Sequence, residues 1–173
     1  MTLAISQMEA LWFLPFVLPI CIWVAWSDLR EMRIPNVSVL ALAGVFVVVG
    51  LAQVAMDVMA FSTWYMRLAQ LVIVLIAGFI ITSIGLAGAG DSKFAAAMAP
   101  FVAPGDYLLF VTLFAAVLIG SWITHRGAGR VPAVRRATPD WVSWDRGKLF
   151  PMGVALAGAL VVYLALGAMG SGA

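Results

Sequence analysis

Charged residues are scarce in this sequence of 173 amino acids. Asp, Glu, Lys and Arg together make up 10% of it, whereas 64% of the residues are hydrophobic. Soluble domains have about 25% charged residues, so this shortage excludes an ordinary soluble protein and favours one that is embedded in lipid. A chain of 18.4 kDa has room for several membrane-spanning helices but not for a separate soluble domain, and we predict a single domain over residues 1–173.

Cysteine and histidine are also nearly missing, with one residue of each, Cys21 and His125. Cys21 lies in an apolar run and has no partner for an internal disulfide or for a zinc site with several cysteines. His125 stands alone at the end of another apolar run. The sequence therefore predicts neither a metal site nor a cofactor.

Six apolar segments follow one another, and a membrane span needs about 20 residues. They cover residues 9–27, 37–56, 66–87, 92–104, 107–124 and 151–169. The first has no Lys or Arg before it and contains Pro15 and Pro19, which favours a retained span over a cleaved signal peptide. The fourth is short, between Asp91 and the prolines Pro100 and Pro104, so a re-entrant or partly unwound segment is an alternative there. The pattern predicts an all-α polytopic membrane protein with about six transmembrane helices.

Cations are distributed unevenly among the connections. Nine of the ten Lys and Arg residues lie in the first, third and fifth connections, and Arg67 is the exception. The positive-inside rule then places three connections in the cytoplasm and both termini outside. The basic fifth connection, Arg126 to Lys148, suits a segment that lies on the anionic lipid of the inner leaflet, or alternatively a flap over an active site.

Two acids stand at the cytoplasmic ends of these segments, Asp28 after the first and Asp91 before the fourth. Charge at membrane depth costs roughly 2.5–3.5 kcal/mol on insertion scales, so an acid there is usually functional. If helix packing brings the two together, repulsion leaves the pair with one shared proton near neutral pH. Such a pair suits hydrolysis, because one carboxylate takes a proton from water while the other, protonated, polarises the scissile carbonyl. We assign the ionised role to Asp91, which would stand at a helix N-terminus.

Asp91 lies in the stretch Gly88-Ala89-Gly90-Asp91-Ser92-Lys93. Gly88 and Gly90 let an extended peptide come close to Asp91, although the stretch alone also fits an aspartate N-cap at a membrane surface. Lys93 either supports the carboxylate or extends to the inner membrane surface.

Two further motifs lie at cytoplasmic boundaries. They are Asp28-Leu29-Arg30-Glu31-Met32-Arg33-Ile34-Pro35-Asn36 and Lys148-Leu149-Phe150-Pro151-Met152-Gly153-Val154-Ala155. Pro35 disfavours helix at the residue before it, and Asn36 is placed to cap the second span, so this turn has a structural role. If the motif is catalytic, the turn also aims Asp28. Pro151 suits the first turn of the sixth span, and Gly153 permits close helix packing.

The three motifs in this order resemble the type IV prepilin peptidases, bacterial intramembrane aspartyl proteases of the Gly-x-Gly-Asp class, over nearly the whole chain. The resemblance implies an endopeptidase at the cytoplasmic face of the inner membrane, with Asp28 and Asp91 as its catalytic pair. Its substrate would be a pilin-like precursor with a basic leader and a hydrophobic helix, and Glu31 is a candidate for contacting the leader. No nucleic acid is expected as a partner.

Larger members of that family carry a cytoplasmic domain with paired Cys-x-x-Cys motifs and methylate the new N-terminus. This sequence has one cysteine, so we expect no methyltransferase domain or activity. Its short form is similar to the peptidases of tight-adherence (Flp) pilus systems.

Two other functions remain as alternatives. Two buried acids among six helices also suit a small proton-coupled transporter, although both lie at one face and a relay needs groups at other depths. A non-catalytic subunit of a pilus or secretion assembly is the second alternative, in which the acids would be structural.

Overall fold

A computed structural model describes residues 3–147 and 149–170. Over these residues the chain is helical and has no strand, with seven α-helices: α1 Gln7–Glu31, α2 Asn36–Ala55, α3 Phe61–Ser83, α4 Ala89–Met98, α5 Tyr107–Ala128, α6 Pro132–Ala137 and α7 Met152–Met169. Five segments are long and apolar enough to cross a membrane, namely α1, α2, α3, α5 with the turn before it, and α7. The prediction of an all-α polytopic membrane protein is confirmed.

The fourth predicted segment is a short helix followed by two turns. α4 has 10 residues, and single 3₁₀ turns follow at Ala99–Phe101 and Pro104–Asp106. Pro100 and Pro104 each lack a backbone N–H, so an α-helix does not continue through them. α4 packs against α2, α3 and α7, which surround it on several sides and shield the irregular backbone after it.

Local signals fix the start and end of α1. Ser6 and Glu9 form a reciprocal capping box at its N-terminus, and Met32 ends it in the left-handed conformation with φ 54°. The chain then turns through Pro35, which occupies the N-cap position of α2 without a side-chain hydrogen bond. The predicted cap by Asn36 is therefore wrong, because Asn36 is already the first residue of the helix.

The core lies mainly between α1 and α7, which pack along their lengths. Small residues of α7 such as Ala155 and Ala159 are fully buried and allow this close approach. Beside them, Phe13 of α1 stacks on Phe46 of α2 with ring centroids 5.5 Å apart. Phe101 packs edge-on against Phe13 at 4.9 Å, so the turn after α4 is anchored in the same apolar core.

Both described chain ends lie at one end of the helical bundle. The Asp106 carboxylate, at the start of α5, accepts hydrogen bonds from the N–H groups of Ala4 at 2.8 Å and Ile5 at 3.1 Å. It also accepts one from the Tyr163 hydroxyl at 2.7 Å. Asp106 occupies the N-cap position of α5 but makes no cap hydrogen bond, so its carboxylate holds the N-terminal segment against α7.

Arg67, the cation outside the three basic connections, is buried at this same end. Its Nη2 lies 3.3 Å from Oε2 of Glu9, and both side chains are less than one tenth exposed. The carboxylate lies close enough to offset part of the cost of burying the guanidinium in an apolar environment.

The fifth connection folds against the opposite end of the bundle. Trp141 packs edge-on against Trp26 of α1, with centroids 5.5 Å apart. Trp144 stacks on His125 of α5 at 4.6 Å, and the His125 Nε2 lies 3.2 Å from the Ser143 hydroxyl. The connection therefore packs on the ends of α1 and α5. Lys148, which closes it in sequence, lies outside the described residues.

Candidate active site

A cavity of about 540 Å³ opens where α1 ends and where α2, α4 and α7 begin. Its lining consists of Ser27, Asp28, Glu31, Met32, Arg33, Ile34, Pro35, Asn36, Gly88, Ala89, Gly90, Asp91, Lys93, Phe150 and Met152. Eight of the ten residues that the sequence singled out are among them. The other two, Pro151 and Gly153, lie just behind the wall that α7 contributes. The Asp28–Asn36 and Gly88–Lys93 motifs thus meet around one opening although they are far apart in the chain.

Asp28 lies in the last turn of α1 and is 4% exposed. Its Oδ2 accepts a hydrogen bond of 2.6 Å from the backbone N–H of Gly153. That N–H belongs to the first turn of α7, where backbone donors have no partner within the helix. The start of the last helix therefore orients the carboxylate at the end of the first.

Gly153 has no side chain at a point where one would strike Asp28. A Cβ added there would lie 2.9 Å from Oδ2 and 3.1 Å from both Cβ and Cγ of Asp28. Such approaches are shorter than the roughly 3.5–4.0 Å of normal contact between carbon atoms. The role predicted for Gly153 was close packing, and here the packing partner is the acid itself. Pro151 precedes α7 as its N-cap residue and is buried.

Asp91 lies in the first turn of α4, three residues after the N-cap residue Gly88. Its partly exposed carboxylate folds back over Gly88, where an added Cβ would lie 2.7 Å from Oδ2. An acid in the first turn is also favoured by the helix dipole. Gly88 therefore leaves room for the carboxylate of Asp91.

Gly90 stands in a less crowded place than Gly88. An added Cβ there would lie 3.5 Å from the Cβ of Ile34, which is an ordinary van der Waals contact. The two glycines of the Gly-x-Gly-Asp stretch thus meet different surroundings, and Gly88 is the one whose replacement collides with the acid.

The remaining polar side chains surround the two acids. Asp28 and Asp91 both line this cavity. Lys93 is exposed and its Nζ donates to Oδ1 of Asn36 at 3.3 Å; in the described part of the chain it forms no ion pair with Asp91. Glu31 is exposed at the cavity mouth, so the opening is lined by acids as well as by cations.

Several lining residues were not predicted from the sequence. Ser27 is buried beside Asp28, and its hydroxyl donates to the carbonyl of Arg33 at 2.9 Å, which fixes the turn after α1. A serine next to an aspartate in an apolar helix was the available signal. Phe150 and Met152, by contrast, are ordinary apolar residues whose place at the opening follows from the packing of α7.

Among residues 3–147 and 149–170, no group of three or more His, Cys, Asp and Glu side chains lies close enough together to hold a metal ion. The cavity offers carboxyl groups, a hydroxyl group, an amide and the cations at its edge.

Comparison of the sequence with protein families gives one match. The model of the type IV leader peptidase family matches residues 15–124. The match includes Asp28 and Asp91 and ends before Gly153. Searches of curated proteins and of solved structures found no match. Because the family model covers more than half of the 173 residues, the chain belongs to the type IV leader peptidase family.

Proposed function

We propose that the protein is an intramembrane aspartyl endopeptidase of the bacterial inner membrane. It removes the basic leader from type IV or Flp prepilin-like precursors at the cytoplasmic face. The observation that carries the proposal is the placement of Asp28 and Asp91, which are distant in sequence, on the wall of one cavity. The family match supports leader peptidase activity in general.

The mechanism that we propose divides the work between the two carboxyl groups. Asp91, in the first turn of α4, is ionised and takes a proton from a water molecule. The oxygen of this water attacks the scissile carbonyl carbon while Asp28 donates a proton to the carbonyl oxygen. When the tetrahedral intermediate collapses, the C–N bond breaks, Asp91 gives its proton to the leaving amine, and Asp28 takes back the proton from one hydroxyl group, which restores the pair.

The surroundings of Asp28 suit the protonated role. The side chain is 4% exposed, and burial disfavours a charged carboxylate. The Gly153 N–H holds Oδ2, so Oδ1 carries the proton toward the substrate. Glu31 at the cavity mouth has the charge that attracts a basic leader, because opposite charges attract.

The interior of the bundle argues for hydrolysis over a proton relay. At the far end from the cavity lie two further polar groups, the Glu9–Arg67 pair and the Asp106–Tyr163 pair. Between the two ends the described core contains apolar side chains such as Phe13. A relay needs titratable groups or water at intermediate depths.

Coexpression with a prepilin-like precursor tests the proposal. The wild type shortens the precursor, whereas Asp28→Asn and Asp91→Asn each reduce the rate by about 10²–10⁴-fold, the usual contribution of a general acid or base. Asp57→Asn is the matched control, because Asp57 is exposed and has a positive φ of 56° that asparagine adopts readily. We expect this control to cleave at the wild-type rate.

Two readouts complete the test. Equal membrane insertion of all variants is verified by detergent extraction and gel filtration, and mass spectrometry of the mature product shows an unmethylated N-terminus. Full processing by both single Asp→Asn variants would leave the assembly-subunit alternative as the better account.

A further inference from the structure

An apolar groove starts at Asp91 and runs along α4 toward the opposite end of the bundle. Its inner part, of about 210 Å³, is lined by Asp91, Val74, Ala95 and Leu156 among others. Its outer part, of about 550 Å³, is lined by Val74, Ala95 and Phe110 among others. Because Val74 and Ala95 line both parts, the groove is continuous. It joins the polar cavity at Asp91, which also lines that cavity.

The base of the groove is one stripe of α4 and of the turn that follows it. Asp91, Ala95 and Ala99 recur at steps of four residues, which places them on one face, and Val102, after the turn, also lines the groove. Val102 is 4% exposed, while Ile73 of α3, at the edge of the groove, is 65% exposed. α3 and α5 therefore stand on either side of a recessed strip of mostly small side chains.

The shape and length of this strip fit a helix. Small residues such as Ala95 and Ala99 let a second helix approach closely, which is how helices associate within a membrane. From Asp91 to Ala99 the strip rises by about 12 Å at 1.5 Å per residue, roughly two turns of a bound helix.

The junction with the polar cavity favours the precursor helix over a lipid chain as the occupant. Asp91 lines both the groove and the cavity. An occupant therefore needs an apolar part that fills the groove and, at the end of that part, a peptide bond close to the two acids. A precursor helix with its leader has both, whereas an acyl chain has no peptide bond.

We infer that the hydrophobic helix of the precursor docks in this groove from the lipid, with its N-terminal end at Asp91. This inference rests on the proposed function and adds where the substrate lies. The leader then occupies the polar cavity beside Glu31, and the scissile bond lies at the junction, where Asp91 belongs to both surfaces. The substrate thus reaches the acids laterally, without passing through the bundle.

Disulfide trapping in the Cys21→Ser background tests the docking site. Single cysteines replace Ala95 or Ala99 in the groove, and Leu40 or Val48 on α2 as controls that are 71% and 68% exposed. The precursor carries one cysteine in the first three turns of its helix, and Asp28→Asn prevents its cleavage. We expect at least tenfold more cross-linking at the groove positions than at the control positions. The precursor residue that cross-links best should differ by about four positions between the Ala95 and Ala99 variants. Equal yields at all four positions, or no yield in the groove, would overturn the inference.

Filling the groove provides an independent test. Ala99→Phe places a bulky side chain on the base, and we expect the KM for the precursor to rise at least tenfold. Ala52→Phe adds the same bulk on the exposed face of α2 and leaves KM unchanged. Equal kinetics of the two variants, at equal thermal stability, would contradict docking in the groove. Failure of the unmodified enzyme to cleave the precursor would instead reject the proposed function.

Discussion

Replacing Gly153 by alanine perturbs the proposed catalytic site through a single methyl group. The new Cβ would lie 2.9 Å from Oδ2 of Asp28 and 3.1 Å from its Cβ and Cγ. Since carbon atoms in contact lie about 3.5–4.0 Å apart, the carboxylate has to move by roughly half an ångström. α7 cannot easily move instead, because Ala155 and Ala159 are fully buried against its neighbours.

The expected loss follows from the hydrogen bond between Gly153 N–H and Asp28 Oδ2, at 2.6 Å. In the proposed mechanism Asp28 becomes ionised as it donates its proton, and hydrogen bonds to charged groups contribute about 1.5–3 kcal/mol. At 1.36 kcal/mol per factor of ten, losing this bond lowers kcat/KM by about 10- to 150-fold if the whole effect appears in the transition state. The effect should fall on kcat rather than KM, because Asp28 acts on the reacting atoms in the proposed mechanism.

Cleavage kinetics of a purified precursor in detergent micelles measure this effect. Gly158→Ala is the control on the same helix, because its added Cβ would meet only a methyl group of the Val117 side chain, at 3.1 Å. We expect the control to keep kcat/KM within about threefold of wild type. A Gly153→Ala enzyme with unchanged kcat, at equal thermal stability, would refute the view that α7 positions Asp28.

Two further predictions concern pH and the opposite end of the bundle. If Asp28 and Asp91 share one proton, kcat/KM falls at both acidic and alkaline pH. At acidic pH both carboxyl groups are protonated, and at alkaline pH both are ionised, so the active form is lost in each case. A flat profile from acidic to alkaline pH would contradict a shared proton. Arg67→Met leaves Glu9 buried without its cation and should reduce the free energy of unfolding by about 3–5 kcal/mol, seen as a lower midpoint of thermal unfolding. The double variant Glu9→Gln/Arg67→Met should recover most of that loss with unchanged kcat, and a single variant as stable as wild type would show that the pair contributes little.

Local sequence signals predicted the helices well. Runs of apolar residues placed the membrane-spanning segments within a few residues of their ends, since lipid imposes helical structure on every crossing backbone. The proline positions also indicated the short fourth helix. The two acids were identified because charge in an apolar context is expensive.

Long-range contacts could not be predicted from the sequence. The Gly153–Asp28 hydrogen bond joins residues 125 positions apart, and the Glu9–Arg67 pair spans 58 positions. Neither has a local signature, because each depends on which helices become neighbours. The cap predicted for Asn36 failed for a related reason, since Pro35 takes the N-cap position and Asn36 pairs with Lys93 instead.

The dependence of Asp28 on Gly153 has a consequence for the order of biosynthesis. The first helix leaves the ribosome and enters the bilayer long before the last helix has been translated. Until α7 arrives, Asp28 lacks the backbone donor that fixes its orientation. If the proposed mechanism holds, we expect a nascent chain that already carries both acids to cleave poorly until the final helix has inserted.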